Sequence, residues 1–272
     1  MSAEVLKGRA KRRLKNYLKT LGYTVHKLYV HDTGVRFSSI LLGMSVRTDR
    51  PLKLVQVGAN DGRDPFRDFA VTNQCASLVI EANPMALPVL RESYAALPTA
   101  HIANIAISAQ AGEKEIYIVG DAAAAIYKQL GKAPSHVTSF SRDFLMEHIA
   151  ENIGKKYASD IKTLTVKTAP LDEVVTRYGF GNADALQVDT EGHDFEVLKS
   201  ANLAQWRPQV INFEFSNLSE SDFAECSRWL SLLGYKLFKA EVDCIAVLPC
   251  SHKRFEIVDG ANCAGLSGLS HF

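Results

Sequence analysis

The sequence predicts an α/β, Rossmann-like fold with a mostly parallel sheet and an antiparallel edge strand, and three observations indicate it. Strand-like and helical stretches alternate from residue 51 to residue 248, which is typical of parallel sheets covered by helices on both faces. The first apolar stretch enters a glycine turn at Gly58, and the second ends in Glu81, about 20 residues later. The last two strand-like stretches have no helix between them, so we expect one of them to run antiparallel.

Each element follows from a local pattern. Apolar residues fill most positions of the core strands, as in buried parallel strands. Asp64-Pro65 and Asn83-Pro84 each join a capping side chain to a proline suited to the first turn of a helix. The predicted strands are 52–57, 77–81, 100–107, 115–119 (pairing beside 100–107), 161–166, 185–188, 209–215, 235–239 and 244–248. The predicted helices are 65–74, 84–96, 171–178, 193–201 and 221–233.

Charge and pattern divide the chain into three parts. Residues 1–50 are predicted to form a basic, partly helical extension, because eight basic residues and one acidic residue fall in residues 1–30. An apolar helical stripe between residues 14 and 21 would pack on the domain or on a partner subunit in a homo-oligomer; the alternative is contact with an acidic membrane surface. Residues 51–248 form the α/β domain, and residues 249–272 are predicted to be a loosely ordered tail.

The alternation of strands and helices lapses between residues 120 and 160. We expect an irregular insertion there that acts as a lid over the substrate, since long weakly patterned segments in compact domains are usually functional. The alternative is a helical decoration or a dimer contact.

Composition narrows the functional classes. The chain has 31 basic and 30 acidic side chains. After residue 30 it has 23 basic and 29 acidic ones, and this acidic excess argues against a nucleic-acid-binding core. The five cysteines form no CxxC pair, which favours reduced thiols. The sequence contains no apolar run of about 18 residues and no signal-like N-terminus. We therefore expect a cytoplasmic protein without a transmembrane segment.

The turn after the first strand suits a positively charged ligand better than a diphosphate. The third glycine of a dinucleotide loop is absent, and Asp61 and Asp64 would repel a pyrophosphate. They would attract the ammonium and sulfonium groups of S-adenosylmethionine, which is the predicted cofactor; an NAD-type oxidoreductase is the alternative. Glu81 would accept hydrogen bonds from the ribose hydroxyls. The predicted cofactor-binding residues are Gly58, Asn60, Asp61, Gly62, Glu81, Asn104, Ala106 and Asp189.

A dense ionisable cluster follows the fourth core strand. Asp189, Glu191 and His193 are the predicted catalytic residues, because methylating a hydroxyl requires a base or a metal to remove its proton. His193 suits the base role at neutral pH, although it could instead be an exposed residue at a helix start. Glu214 could complete a divalent metal site with Asp189, but we favour a hydrogen-bonded carboxylate there and predict no metal.

Three stretches resemble the signatures of FkbM-type methyltransferases. They are Val57–Gly62, Glu81–Pro84 and Val188–Lys199, of which the last is the most specific, and the similarity spans roughly residues 52–248. The resemblance implies a class I methyltransferase fold and S-adenosylmethionine-dependent O-methylation of a small-molecule or glycan acceptor, often a sugar or natural product. It further implies that Gly58, Asn60, Gly62 and Glu81 hold the cofactor, while Asp189 and Glu191 line the reaction centre. A cofactor-binding protein without turnover is a further alternative.

Overall fold

The computed structural model describes residues 36–131 and 134–249 of the 272-residue chain. The predicted basic helix before residue 22 and the predicted tail after residue 249 lie outside the described residues. Within the described ranges, no helix is long and apolar enough to cross a membrane.

The elements alternate for most of the chain. The strands are β1 (Lys53–Val57), β2 (Ala76–Glu81), β3 (Ala100–Asn104), β4 (Ala106–Ile107), β5 (Gly112–Val119), β6 (Thr138–Ser139), β7 (Ile161–Ala169), β8 (Ala185–Val188), β9 (Val210–Glu214), β10 (Lys236–Ala240) and β11 (Asp243–Val247). The α-helices are α1 (Phe37–Ser45), α2 (Pro65–Thr72), α3 (Leu87–Ser93), α4 (Asp121–Gln129), α5 (Arg142–Ile153), α6 (Leu171–Arg177), α7 (Asp194–Lys199), α8 (Leu203–Trp206) and α9 (Glu220–Leu232). Single 3-10 turns lie at Pro134–His136 and Lys155–Tyr157.

Seven strands form the main sheet in the order β3-β2-β1-β8-β9-β11-β10. The pairs among β3, β2, β1, β8 and β9 are parallel, and β11 pairs antiparallel with both β9 and β10. This arrangement confirms the predicted mostly parallel sheet, with β11 lying one position in from the edge strand. Because β1 is central and parallel to β2 and β8, the loops that follow these three strands meet at one edge of the sheet.

The packed part of the chain begins before the boundary predicted at Arg50-Pro51. Helix α1 buries Ile40, Leu41 and Met44 in the apolar cluster that covers one face of the sheet. Arg50 itself forms a bidentate ion pair with Asp184, with Nη–Oδ distances of 2.8 and 2.7 Å. Residues 36–50 therefore belong to the same packed unit as the sheet.

Asp64 caps a helix, whereas Asn83 stabilises a turn. Asp64 starts α2 as predicted, since its Oδ1 accepts a hydrogen bond from the Arg67 backbone N–H at 2.8 Å. Asn83 Oδ1 accepts from the Met85 N–H at 3.0 Å and stabilises a turn, so the next helix begins only at Leu87. The predicted start at residue 84 was wrong, because the proline in the first turn of this helix is Pro88.

Residues 106–169 contain a second sheet that the sequence did not predict. Its order is β4-β7-β5-β6, and β5 pairs antiparallel with β7 along its whole length. The predicted pairing of residues 115–119 beside the third strand was therefore wrong. That predicted strand also divides, because residues 100–104 pair in the main sheet while residues 106–107 pair with β7. The β7 residues that pair with β5 lie more than 40 residues away in the chain, so no local sequence pattern predicts this pairing.

The segment from residue 120 to residue 160 is folded rather than irregular. Helices α4 and α5 enclose a small apolar cluster of their own, in which the side chains of Ala123, Tyr127, Leu145 and Ile149 are buried. The alanine run at 122–125 forms the first turns of α4, as expected from its high helix propensity.

Candidate active site

One cavity lies where the loops after β1, β2 and β8 meet. Val57 pairs with Ile80 on one side and with Val188 on the other, so Gly58, Glu81 and Asp189 follow neighbouring strand ends. The cavity wall also includes the Ile105–Ile107 stretch and part of the 120–160 insertion. Ligands of open α/β sheets bind at this carboxyl edge.

Gly58 lets the first loop approach the end of β8. Its φ is 80°, and an added Cβ would lie 1.7 Å from the Asp189 carbonyl oxygen, so a side chain cannot fit. Asn60 also has a left-handed backbone, with φ of 48°, and lines the cavity. Its Oδ1 is buried without a hydrogen-bond partner among the described residues. A ligand donor in the cavity would satisfy this oxygen.

Glu81 organises the loops as well as facing the cavity. Its Oε2 accepts from the Asn60 N–H at 2.7 Å, and its Oε1 accepts from the Asn83 N–H at 2.6 Å. Burial raises the pKa of Glu81, and the backbone N–H donors oppose that effect. Each carboxylate oxygen can accept more than one hydrogen bond, so Glu81 can hold the loops and still bind two ligand hydroxyls.

Two predicted cofactor residues, Gly62 and Asn104, have structural contacts instead and do not line the described cavity. Gly62 has φ of 67°, and an added Cβ would lie 2.7 Å from Leu90 Cδ1, so this glycine permits close packing on α3. Asn104 Nδ2 donates to the carbonyl oxygens of Glu81 and Ala82 at 2.8 and 3.1 Å. It therefore ties the end of β3 to the end of β2.

Asp61 and Ala106 do line the cavity. The Asp61 side chain is buried, and its Oδ1 accepts from the Arg63 N–H at 3.0 Å, which fixes the carboxylate at the start of the loop before α2. Ala106 is buried in β4 beside Ile105 and Ile107, which make this part of the wall apolar.

Asp189 and Glu191 both line the cavity and have raised pKa values. Loss of contact with bulk water, followed by repulsion from Glu214 and Asp194, raises the pKa of Asp189 to about 8. The same causes raise the pKa of Glu191 to about 7, although Asn217 Nδ2 donates to its Oε2 at 3.1 Å. Both groups can therefore gain or lose a proton near neutral pH.

Asp194 and Glu214 hold the loop after β8 in place. Asp194 is fully buried; its Oδ2 accepts from Thr190 Oγ1 at 2.9 Å, and its Oδ1 accepts from the Glu214 N–H at 3.1 Å. Glu214 accepts from Ser216 Oγ at 2.6 Å and Asn217 Nδ2 at 2.8 Å. Glu214 thus has the hydrogen-bonded role favoured from the sequence. Among the described residues, no group of three His, Cys, Asp or Glu side chains is arranged to hold a metal.

His193 is the residue before α7, and its side chain lines the cavity rather than capping the helix. Its Nε2 is buried and has no hydrogen-bond partner within the described ranges. Burial lowers the pKa of His193 below its ordinary value, because the charged imidazolium is disfavoured away from water. The imidazole is therefore neutral near pH 7 and can accept a proton.

Several residues of the cavity wall lie outside the predicted catalytic and cofactor-binding sets, although those from the insertion belong to the predicted lid. The insertion contributes Ser135, Thr138, Ser139 and Phe140. Arg63 is the one Lys or Arg side chain among the described residues that line the cavity, and it follows the glycine turn directly. The position of Arg63 beside the turn could have indicated it from the sequence, whereas the insertion residues reach the cavity only through tertiary packing.

The family of the chain follows from comparison with known proteins. The sequence profile described as "Methyltransferase FkbM domain" matches residues 56–237, which is more than half of the chain. No curated protein matches.

Several solved structures are similar at low sequence identity. Precorrin-6y C5,15-methyltransferase from Geobacter metallireducens GS-15 is 10% identical with a TM-score of 0.39, over 83% of this chain and 91% of that one. A human methyltransferase 10 domain containing protein is 9% identical with a TM-score of 0.38, over 88% and 95%. An S-adenosylmethionine-dependent methyltransferase from Geobacter sulfurreducens, in complex with S-adenosyl-L-homocysteine, is 12% identical with a TM-score of 0.34, over 78% and 69%. The chain belongs to the FkbM methyltransferase family and is an S-adenosylmethionine-dependent methyltransferase built on the mostly parallel α/β sheet described above.

Proposed function

We propose that this methyltransferase acts on a hydroxyl oxygen of a small-molecule or glycan acceptor, such as a sugar or natural product. The supporting observation is the neutral imidazole of His193, whose unpartnered Nε2 belongs to the same cavity as the glycine turn and Glu81. An aliphatic hydroxyl keeps its proton until the new bond forms, so a base of this kind is required.

The cavity residues suit each part of S-adenosylmethionine. Glu81 would bind the ribose hydroxyls, Asn60 and Asp61 would face the ammonium group, and Arg63 would pair with the carboxylate. The apolar stretch Ile105–Ile107 would cover the adenine. When bound, the cofactor supplies an electrophilic methyl carbon on a sulfonium.

The chain's own residues account for the remaining steps. His193 accepts the proton of the acceptor hydroxyl as the carbon–oxygen bond forms. Asp189 and Glu191 bind the acceptor by hydrogen bonds, as acceptors when ionised and as donors when protonated. Holding the hydroxyl in line with the methyl group contributes further, because well-oriented reactants have a large effective molarity.

The charged residues of the cavity wall also indicate which class of acceptor can bind. Its described wall contains five carboxylates, namely Asp61, Asp64, Glu81, Asp189 and Glu191, against one arginine. A wall with a single basic side chain offers little to bind phosphates, which supports a small neutral or cationic acceptor rather than nucleic acid. A homo-oligomer, a cytoplasmic location and membrane contact through the basic N-terminal helix remain proposals from the sequence.

The identity of the methylated atom tests the proposal. The purified protein would be incubated with carbon-13-methyl S-adenosylmethionine and a panel of hydroxylated and amino acceptors, and the product methyl would be located by NMR. Label on an oxygen supports the proposal, whereas label only on nitrogen or carbon contradicts it. Cofactor binding by calorimetry without transfer to any acceptor would favour a binding protein without turnover.

A further inference from the structure

Phe140 is the point at which the insertion contacts a proposed catalytic side chain. Its ring centroid lies 4.9 Å from that of His193, with an angle of 59° between the ring planes, and both residues line the cavity. The backbone before Phe140 is fixed, because β6 pairs with β5 and Thr138 Oγ1 accepts from Asn83 Nδ2 at 3.0 Å. The insertion is therefore anchored where it meets the reaction centre.

A second contact restrains the same ring. Lys114 Nζ lies 5.6 Å from the Phe140 ring centroid, and it donates a hydrogen bond to Ser108 Oγ at 2.7 Å. An ammonium near an aromatic face is attracted by the ring quadrupole. These contacts give Phe140 a fixed position beside the imidazole of His193.

The charged groups around His193 shift its pKa in opposite directions. Glu196 on α7 and a backbone hydrogen bond to Ile107 favour the imidazolium, whereas Lys114 on β5 and Lys199 on α7 disfavour it. Burial has the largest influence and lowers the pKa of His193. The exclusion of water therefore outweighs the nearby charges, and Phe140 is an apolar neighbour able to exclude water from the ring.

We infer that Phe140 is a positioning residue that keeps water from the His193 imidazole and holds its Nε2 neutral and available for the acceptor's proton. This inference rests on the proposed function for the role of His193. It gives the insertion a part in the chemistry of the reaction centre, in addition to any role in covering the acceptor.

An NMR titration of the histidine ring protons in the full-length protein tests this inference without an acceptor. In Phe140→Ala, we expect the midpoint of His193 to rise towards its ordinary value, and the acid limb of the pH–rate profile to move with it. Phe140→Leu, which keeps most of the apolar volume, should titrate close to the unchanged protein. Phe144→Ala is the matched control, because this ring lies 6.1 Å from His148 in the same insertion and does not line the described cavity.

An unchanged His193 midpoint in folded Phe140→Ala would overturn the inference. If Phe140→Ala does not fold, deuterium exchange at the histidine Cε1 positions of the unchanged protein serves as the test. Exchange should be slower at His193 than at the exposed His101. Equal exchange rates would overturn the inference. A different result would contradict the proposed function without affecting this inference. Undiminished methyl transfer by His193→Gln would remove the base role and leave the titration result standing.

Discussion

Replacing Glu81 with alanine should weaken both the cofactor loop and cofactor binding. The change removes the acceptor for the Asn60 N–H at 2.7 Å and the acceptor for the Asn83 N–H at 2.6 Å. An unsatisfied buried donor costs about 1–3 kcal/mol, but cavity water can reach Asn60. We therefore expect a loss of about 1–3 kcal/mol in the free energy of unfolding, which lowers Tm by about 2–4 °C per kcal/mol in a protein of this size.

The effect on the cofactor follows from the remaining capacity of the carboxylate. A hydrogen bond to a charged group contributes about 1.5–3 kcal/mol. Loss of the ribose contact should therefore raise the Kd for S-adenosylmethionine by about 10- to 150-fold. Glu151→Ala, an exposed change on α5, is the control and should alter neither quantity.

Calorimetry with a matched ligand separates the two effects. Glu81→Ala and the unchanged protein would be titrated with S-adenosylhomocysteine and with its 2′-deoxy analogue. If Glu81 binds the ribose, removing the hydroxyl should cost less in the variant than in the unchanged protein, because the two changes delete the same contact. Additive losses, or an unchanged Kd in the folded variant, would refute the assignment.

Four other predictions address the remaining parts of the site. The pKa of Asp189 is raised from 3.8 to about 8, so the folded state binds this proton more tightly than the unfolded state, and the free energy of unfolding falls as pH rises through that range. Asp189→Asn should make this fall shallower when thermal unfolding is measured at several pH values. An unchanged slope would contradict the raised pKa. Arg63→Ala should weaken binding of S-adenosylmethionine but not of its decarboxylated analogue, and equal losses in calorimetry would remove the carboxylate contact. Turnover should persist in EDTA, and activity that is lost and then restored by Mg²⁺ would show a metal requirement. Hydrogen exchange in residues 134–142 should slow when cofactor and acceptor bind, and protection that is already high and unaltered by ligands would exclude a lid.

Much of the cofactor side of the site could be predicted because it depends on local rules. A parallel sheet brings the carboxyl ends of its central strands together, so the alternation of elements was sufficient to bring Gly58, Glu81 and Asp189 to one edge. The close approach of Gly58 to β8 and the left-handed Asn60 also agree with a glycine-rich turn.

The rest depended on contacts between distant parts of the chain. The pairing of β5 with β7 joins residues separated by an intervening helical segment. The pairing of β5 with β6 fixes the strand directly before Phe140, whose ring lies beside that of His193. Gly62 and Asn104 matched the expected pattern, but they do not line the cavity and make packing and strand-to-strand contacts, since the same residue types suit both roles. Local sequence could not distinguish these uses.

The central claim, that His193 is the base for methylation of a hydroxyl, is tested most directly by single-turnover transfer at saturating cofactor. We expect His193→Gln to slow transfer by about 10²- to 10⁴-fold, the usual contribution of general base catalysis, with an unchanged Kd for S-adenosylmethionine. His101→Gln, an exposed change on β3, is the matched control and should keep the full rate. A His193→Gln rate equal to that of the unchanged protein would contradict the account.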